Sequence, residues 1–187
     1  EEQGYILCWA AKWLGDNEII FSSIHHHGRT DMLSMIHQLL DEADIVIHYN
    51  GVKFDIPTLN QEFLLQGWAP PAPYIEIDLL KTARRRFRLP SNKLDYVTRY
   101  LGLKGKQRHK GMELWKGCMS GDQESWNEMV EYNNKIRQAD FACEVFRDFG
   151  RVGSRRRQHE ARSQADNHNG ADDGNGLIFI QPSRRVG

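Results

Sequence analysis

The chain has 187 residues, 40% of them hydrophobic, with 25 basic and 25 acidic side chains and a formal net charge of zero; that length and apolar content suit one domain with a sizeable core. No apolar run approaches the ~18 residues of a membrane helix, and no leader with a basic start and an apolar centre is visible. Three widely spaced cysteines, Cys8, Cys118 and Cys143, fit reduced thiols better than a disulfide framework or a zinc site, so a soluble cytoplasmic protein is expected.

Residues 5–15 (YILCWAAKWLG) and 18–24 (EIIFSSI) are rich in β-formers and broken at Gly15-Asp16-Asn17, which predicts a strand hairpin. Thr30 and Asp31 then open a helix in which Leu33, Ile36, Leu39 and Leu40 recur at helical spacing. Residues 45–50 (IVIHYN) read as a short apolar strand, the kind buried on both faces of a sheet. Pro57 at a first turn, Leu59, Phe63 and Leu64, and Gly67 as terminator predict the next helix. A strand over 74–78 (YIEID), a basic helix over LLKTARRRF and a Ser91-capped helix ending at Gly102 follow. Residues 121–150 read as one long helix with Trp126, Met129, Val130, Ile136, Cys143 and Phe146 toward the core. The order of elements is that of an α/β fold. Past Gly150 the composition changes, and over 151–176 the only large aliphatic is Val152. Such a stretch buries too little to offset its ordering entropy. A domain over 1–149 with a disordered or divergent tail over 150–187 is therefore expected, the LIFI patch (177–180) hanging free rather than adding an edge strand.

Neutrality overall hides a local asymmetry. Residues 1–80 carry 12 acids against 3 bases, whereas 81–110 carry 11 bases against 1 acid, among them Lys81, Arg84, Arg85, Arg86, Arg88, Lys93, Lys104, Lys106, Arg108 and Lys110. Basic residues interleaved with aromatic and small ones are the footprint of phosphate binding; a solvated helix face is the competing reading.

Asp55 follows the 45–50 strand and a glycine turn, at the carboxyl edge of the sheet, where open α/β folds place their sites. A carboxylate there can hold Mg²⁺ or Mn²⁺; alternatively it caps the helix that begins at Pro57. Asp78, at the next strand end, presents the same choice, with helix capping the stronger reading. Asp95 reads as a solvated position on a helix face. His25, His26 and His27 are adjacent in what reads as a strand, where neighbours point to opposite faces, so they do not converge on one ion. His48 reads as a packed strand residue and His109 as a loop base.

The stretch HYNGVKFDIPTLN resembles the second motif of the DEDD 3′→5′ exonucleases of the ribonuclease H-like superfamily, with Asn50, Phe54 and Asp55 at the matching positions. The resemblance continues through IEIDLLKTAR with Asp78, SNKLDYVTRYLGL (91–103) and GMELWKGCMSGD (111–122), the series found in the phage and bacterial DNA-processing branch, and covers about 140 residues. It implies a five-stranded mixed sheet flanked by helices and hydrolysis of DNA, at single-stranded or 3′ ends, by two Mg²⁺ or Mn²⁺ ions that activate water and stabilise the leaving oxygen. Asp55 would be a metal ligand, Asn50 would fix the strand end and contact substrate, and Phe54 would pack beneath the site or stack on a nucleotide, packing being the stronger expectation. Lys81, Arg84, Arg85 and Lys93 would bind the backbone. Tyr132 matches the tyrosine that orients the nucleophilic water.

Two departures accompany the likeness. The first motif, Asp-x-Glu on the central strand, lies upstream of residue 5 in the family, so that strand is expected to be missing and the 45–50 strand to expose an edge. The third motif reads Tyr, three residues, Asp, whereas Tyr132 is followed four residues later by Ile136. Asp140, one turn further on roughly the same helical face but displaced by about 6 Å, is the remaining metal candidate there. A truncated or frame-altered copy would explain both departures. Three functions follow: a metal-dependent 3′→5′ DNA exonuclease, an inactive nucleic-acid-binding remnant, and a histidine-based metal site, the weakest of the three.

Overall fold

In a computed structural model of the chain, residues 5–14, 16, 18–100 and 112–134 are described, together with the backbone of 177–182. The predicted hairpin forms from β1 (Cys8–Trp13) and β2 (Ile20–Ser23), antiparallel, with Ala10 opposite Phe21. The second strand ends earlier than its apolar run suggests. Ser23 accepts a hydrogen bond from the His26 N–H and caps a single turn, α1 (Ile24–His27), so the three histidines lie on a helix rather than a strand.

The middle of the chain follows the expected order: α2 (Arg29–Glu42), β3 (Ala43–His48), α3 (Asp55–Leu65), β4 (Ile75–Asp78), α4 (Leu79–Arg86) and α5 (Leu94–Tyr100). Two short helices, α6 (Met112–Met119) and α7 (Gln123–Asn134), complete this part. The long helix expected over 121–150 is described only as far as Asn134; its remainder, the expected tail over 151–176 and the basic residues Lys104, Lys106, Arg108 and Lys110 lie outside the described residues.

The sheet has five strands in the order β2-β1-β5-β3-β4. Its middle strand is β5 (Leu177–Pro182), parallel to β1 and antiparallel to β3, with Ala11 opposite Ile178 and Ile47 opposite Phe179. This corrects two expectations. The LIFI patch neither hangs free nor adds an edge, and β3 has a neighbour on each side, because the unfilled backbone edges of β1 and β3 take up a short apolar segment from far along the chain.

Period-two alternation splits the core between the two faces of the sheet. Trp9 and Ala11 of β1, with Val46 of β3, pack against Met32, Leu33, Ile36 and Leu40 of α2 and Ile56, Leu59 and Phe63 of α3. Ala10 and Ile47 face the other way, toward Leu79 and Ala83 of α4 and Val97 of α5. The result is the mixed α/β sheet flanked by helices that the order of elements predicts. A third cluster joins Cys8 to Leu114 and Cys118 of α6 and Trp126 and Met129 of α7.

Both described thiols are buried and free. Burial, reinforced by the neighbouring Cys118, pushes the Cys8 thiol up to about 12; burial followed by Asp122 and Glu128 pushes Cys118 up to about 11. At pH 8 a thiol with a pKa of 12 is ionised in roughly one molecule in ten thousand, and the thiolate is the nucleophile. With Cys143 replaced by serine, the native protein is expected to react with an aromatic disulfide reagent far more slowly than free cysteine and to release two equivalents only in urea. Rapid stoichiometric reaction of the native protein would contradict this placement.

Candidate functional site

Because β3 and β4 run parallel, their carboxyl ends share one edge of the sheet, and His48 stands opposite Asp78 in register. The chain leaves β3 through a tight turn. Asn50 adopts a left-handed conformation (φ 67°), which asparagine tolerates better than most side chains. The Gly51 carbonyl accepts from the N–H groups of Phe54 (3.2 Å) and Ile56 (3.0 Å). Gly51 itself passes so close to the His48 ring that a Cβ would lie 2.7 Å from Cγ.

This turn delivers Asp55 to the first position of α3, half-buried. The cap residue is Phe54, which makes no side-chain cap bond. Asp55 is therefore not the N-cap, although a carboxylate in the first turn complements the helix dipole. Phe54 is 38% exposed, its ring 5.4 Å from Lys53 Nζ. The ring is therefore partly covered and partly open to solvent.

Asp78 takes the capping role. Its Oδ1 accepts from the N–H groups of Leu80 (2.9 Å), Lys81 (3.4 Å) and Asn50 (3.0 Å), so one carboxylate both starts α4 and ties the β3 turn to β4. Asp95 pairs with Arg99 on α5. Beyond Asp78, α4 buries Leu79, Leu80 and Ala83 and exposes Lys81, Arg84, Arg85 and Arg86; Lys93, after the helix, is also exposed. Among the described residues none of Lys81, Arg84, Arg85 and Lys93 has an ion-pair partner. A cavity of about 350 Å³ opens between the two features, lined by Val52, Glu76, Ile77, Asp78, Lys81 and Thr82.

Of two further predicted site residues, one lies elsewhere and one is not among those described. Tyr132 is half-buried in the third core cluster, edge-on to Trp115 with ring centroids 6.3 Å apart, whereas Ile56 and Leu59, which follow Asp55, belong to the first. Asp140 lies outside the described residues. The histidines do not converge: His25 reaches Gln123 Oε1 (3.1 Å), His26 pairs with Ser23 Oγ (2.6 Å) and His27 with Ser22 Oγ (2.9 Å). His109 is outside the described residues.

Sequence reasoning missed the pairing of His48 and Glu76. His48 is fully buried, with Nδ1 accepting from the Gly51 N–H (3.0 Å) and Nε2 lying 2.7 Å from Glu76 Oε1. The signal was present: Glu76 and Asp78 are two apart on one strand, hence on one face, and His48 is opposite. It is legible only once the strand register is known.

A family model of the RNase H superfamily matches residues 2–136. The chain belongs to the RNase H superfamily. No curated protein and no solved structure matches it. Membership in the RNase H superfamily gives the chain a nuclease-like domain and makes nucleic-acid hydrolysis the chemistry to look for. RNase H-like nucleases generally use divalent metals. The described residues do not fit such a centre by themselves: among them no three His, Cys, Asp or Glu side chains are grouped so as to hold an ion, and Asp78 Oδ1 is already engaged by three N–H donors.

Proposed function

We propose that this chain is a 3′→5′ exonuclease of the DEDD kind acting on DNA, binding single strands or 3′ ends at the shared edge of β3 and β4. The observation that supports this reading most is a juxtaposition: the hydrogen bond from the Asn50 N–H to Asp78 joins the Asn50–Asp55 turn to the start of the basic helix α4. An acidic residue for the chemistry and exposed cations for the phosphates thus adjoin each other. In this reading Lys81, Arg84, Arg85 and Lys93 hold the backbone, Asn50 and Phe54 contact the terminal nucleotide, and Asp55 is a ligand for Mg²⁺ or Mn²⁺. Asp140 is the candidate second carboxylate. Specificity rests on backbone and stacking contacts, as in other single-strand binders.

A second reading, binding without cleavage, is favoured by the lack of any three-ligand group among the described residues. One experiment separates the two. The wild-type chain and Asp55→Ala are incubated with 5′-labelled single-stranded DNA and Mg²⁺ or Mn²⁺ across a salt series. A ladder shortened from the 3′ end by the wild type, and lost in Asp55→Ala, is expected for the exonuclease. Intact DNA held with salt-sensitive affinity would replace the first reading by the second, and absence of both binding and cleavage would sink them together. In either reading, removing one phosphate-binding arginine, Arg84→Ala or Arg85→Ala, lowers the slope of log K against log salt by about 0.7.

A further inference from the structure

The imidazole of His48 is buried, has both nitrogens engaged and stands directly under the turn that presents Asn50 and Asp55. Its tautomer follows from its partners. Nδ1 accepts the Gly51 N–H, so it carries no hydrogen; the ring hydrogen is on Nε2 and is donated to Glu76 Oε1. With the hydrogen on Nδ1 instead, two donors would face each other 3.0 Å apart and the turn would lose its anchor. Glu76, whose side chain is 31% exposed on the wall of the Lys81–Thr82 cavity, therefore reinforces from outside the core the face that His48 shows to Gly51.

We propose that Glu76 and His48 form a positioning strut for the nucleic-acid site: the carboxylate selects the imidazole tautomer, the imidazole anchors the Gly51 amide, and the anchored turn sets Asn50 and Asp55. This rests on the reading of the β3–β4 edge as that site. Three further features make the turn stiff enough to transmit the effect. Asn50 N–H is held by Asp78, Gly51 leaves no gap above the ring, and the Gly51 carbonyl accepts from two N–H groups at the start of α3. Neither Glu76 nor His48 need touch DNA. Each acts through the turn, as a second layer that orients the residues in contact.

The test compares Glu76→Ala and Glu76→Gln with the wild type in two measurements. The ¹⁵N shifts of His48 report its tautomer, and fluorescence anisotropy with labelled single-stranded DNA reports affinity at several salt concentrations. The wild type is expected to show hydrogen on Nε2. Glu76→Ala leaves the Gly51 N–H as the remaining selector, so the tautomer preference weakens and binding falls about tenfold, equivalent to about 1.4 kcal/mol, with the salt slope unchanged because the α4 cations are intact. Glu76→Gln, which still accepts from Nε2, restores most of both. If Glu76→Ala fails to fold, His48→Leu serves: it removes the acceptor for Gly51, and the same loss of affinity is expected. Affinity unchanged in a folded variant that has lost the tautomer or the acceptor overturns the strut alone. A wild type that shows the tautomer but binds no DNA overturns the reading of the site, and with it the strut's role there.

Discussion

Ending the chain after Gly176 is expected to abolish cooperative folding. The deletion removes β5, which among the described residues is the strand that joins the β2–β1 hairpin to the β3–β4 pair. Each half left behind is two-stranded, and a two-stranded unit by itself is marginal in water. The backbone groups of β1 and β3 that now pair with Leu177–Pro182 would be left as two facing edges inside the molecule. At a net ~1 kcal/mol for each ladder hydrogen bond, plus desolvation of groups left unpaired, the loss is on the order of 5 kcal/mol or more, comparable to the whole stability of an ordinary domain. Urea titrations followed by circular dichroism check this: the full chain should give one cooperative transition, and the shortened chain a shallow one or none. A shortened chain with an unchanged midpoint would show that β5 contributes nothing to the sheet. A synthetic peptide of residues 177–182 should partly restore the transition if the slot between β1 and β3 forms without it.

The same strand marks the limit of what the sequence discloses. Elements whose signal is local were legible: α2 from Leu33, Ile36 and Leu40 at helical spacing, β3 from its apolar run, and the α4 start at Asp78 from an acid at a strand end followed by helix formers. The site was legible in part, since the Asn50–Asp55 segment and the basic helix were picked out and do share one edge. What failed was long-range. A run of four apolar residues in a polar tail says nothing about an empty slot more than 120 residues earlier, because its pairing is set by the edges of β1 and β3 and by no period of its own. His48 looked like plain packing because its partner Glu76 lies across a strand pair whose register no local pattern encodes.

Gly51→Ala is the substitution expected to damage both stability and site at once. The added methyl would meet His48 Cγ at 2.7 Å, Nδ1 at 2.9 Å and Cδ2 at 3.1 Å. The ring cannot easily yield, since His48 is wholly buried in β3 and tied to Glu76 on its far side. Either the ring moves and breaks that bond, or the turn lifts and the Gly51 N–H leaves Nδ1, with Asn50 and Asp55 displaced along with it. Overpacking of this kind costs about 1–3 kcal/mol, which for a chain of this size lowers Tm by roughly 4–8 °C at the middle of that range. Gly67→Ala supplies the contrast. Gly67, unlike Gly51, sits at positive φ (71°), with open space where a Cβ would go; its cost is backbone strain of about 1 kcal/mol, and it lies at the far end of α3 from Asp55. Calorimetry together with DNA binding should therefore find both variants less stable, Gly51→Ala more so, and only Gly51→Ala weakened toward DNA when compared at a temperature where each is folded. Equal affinity in the two would mean that the turn after β3 can shift without consequence for the ligand, and that the basic face of α4 carries recognition by itself.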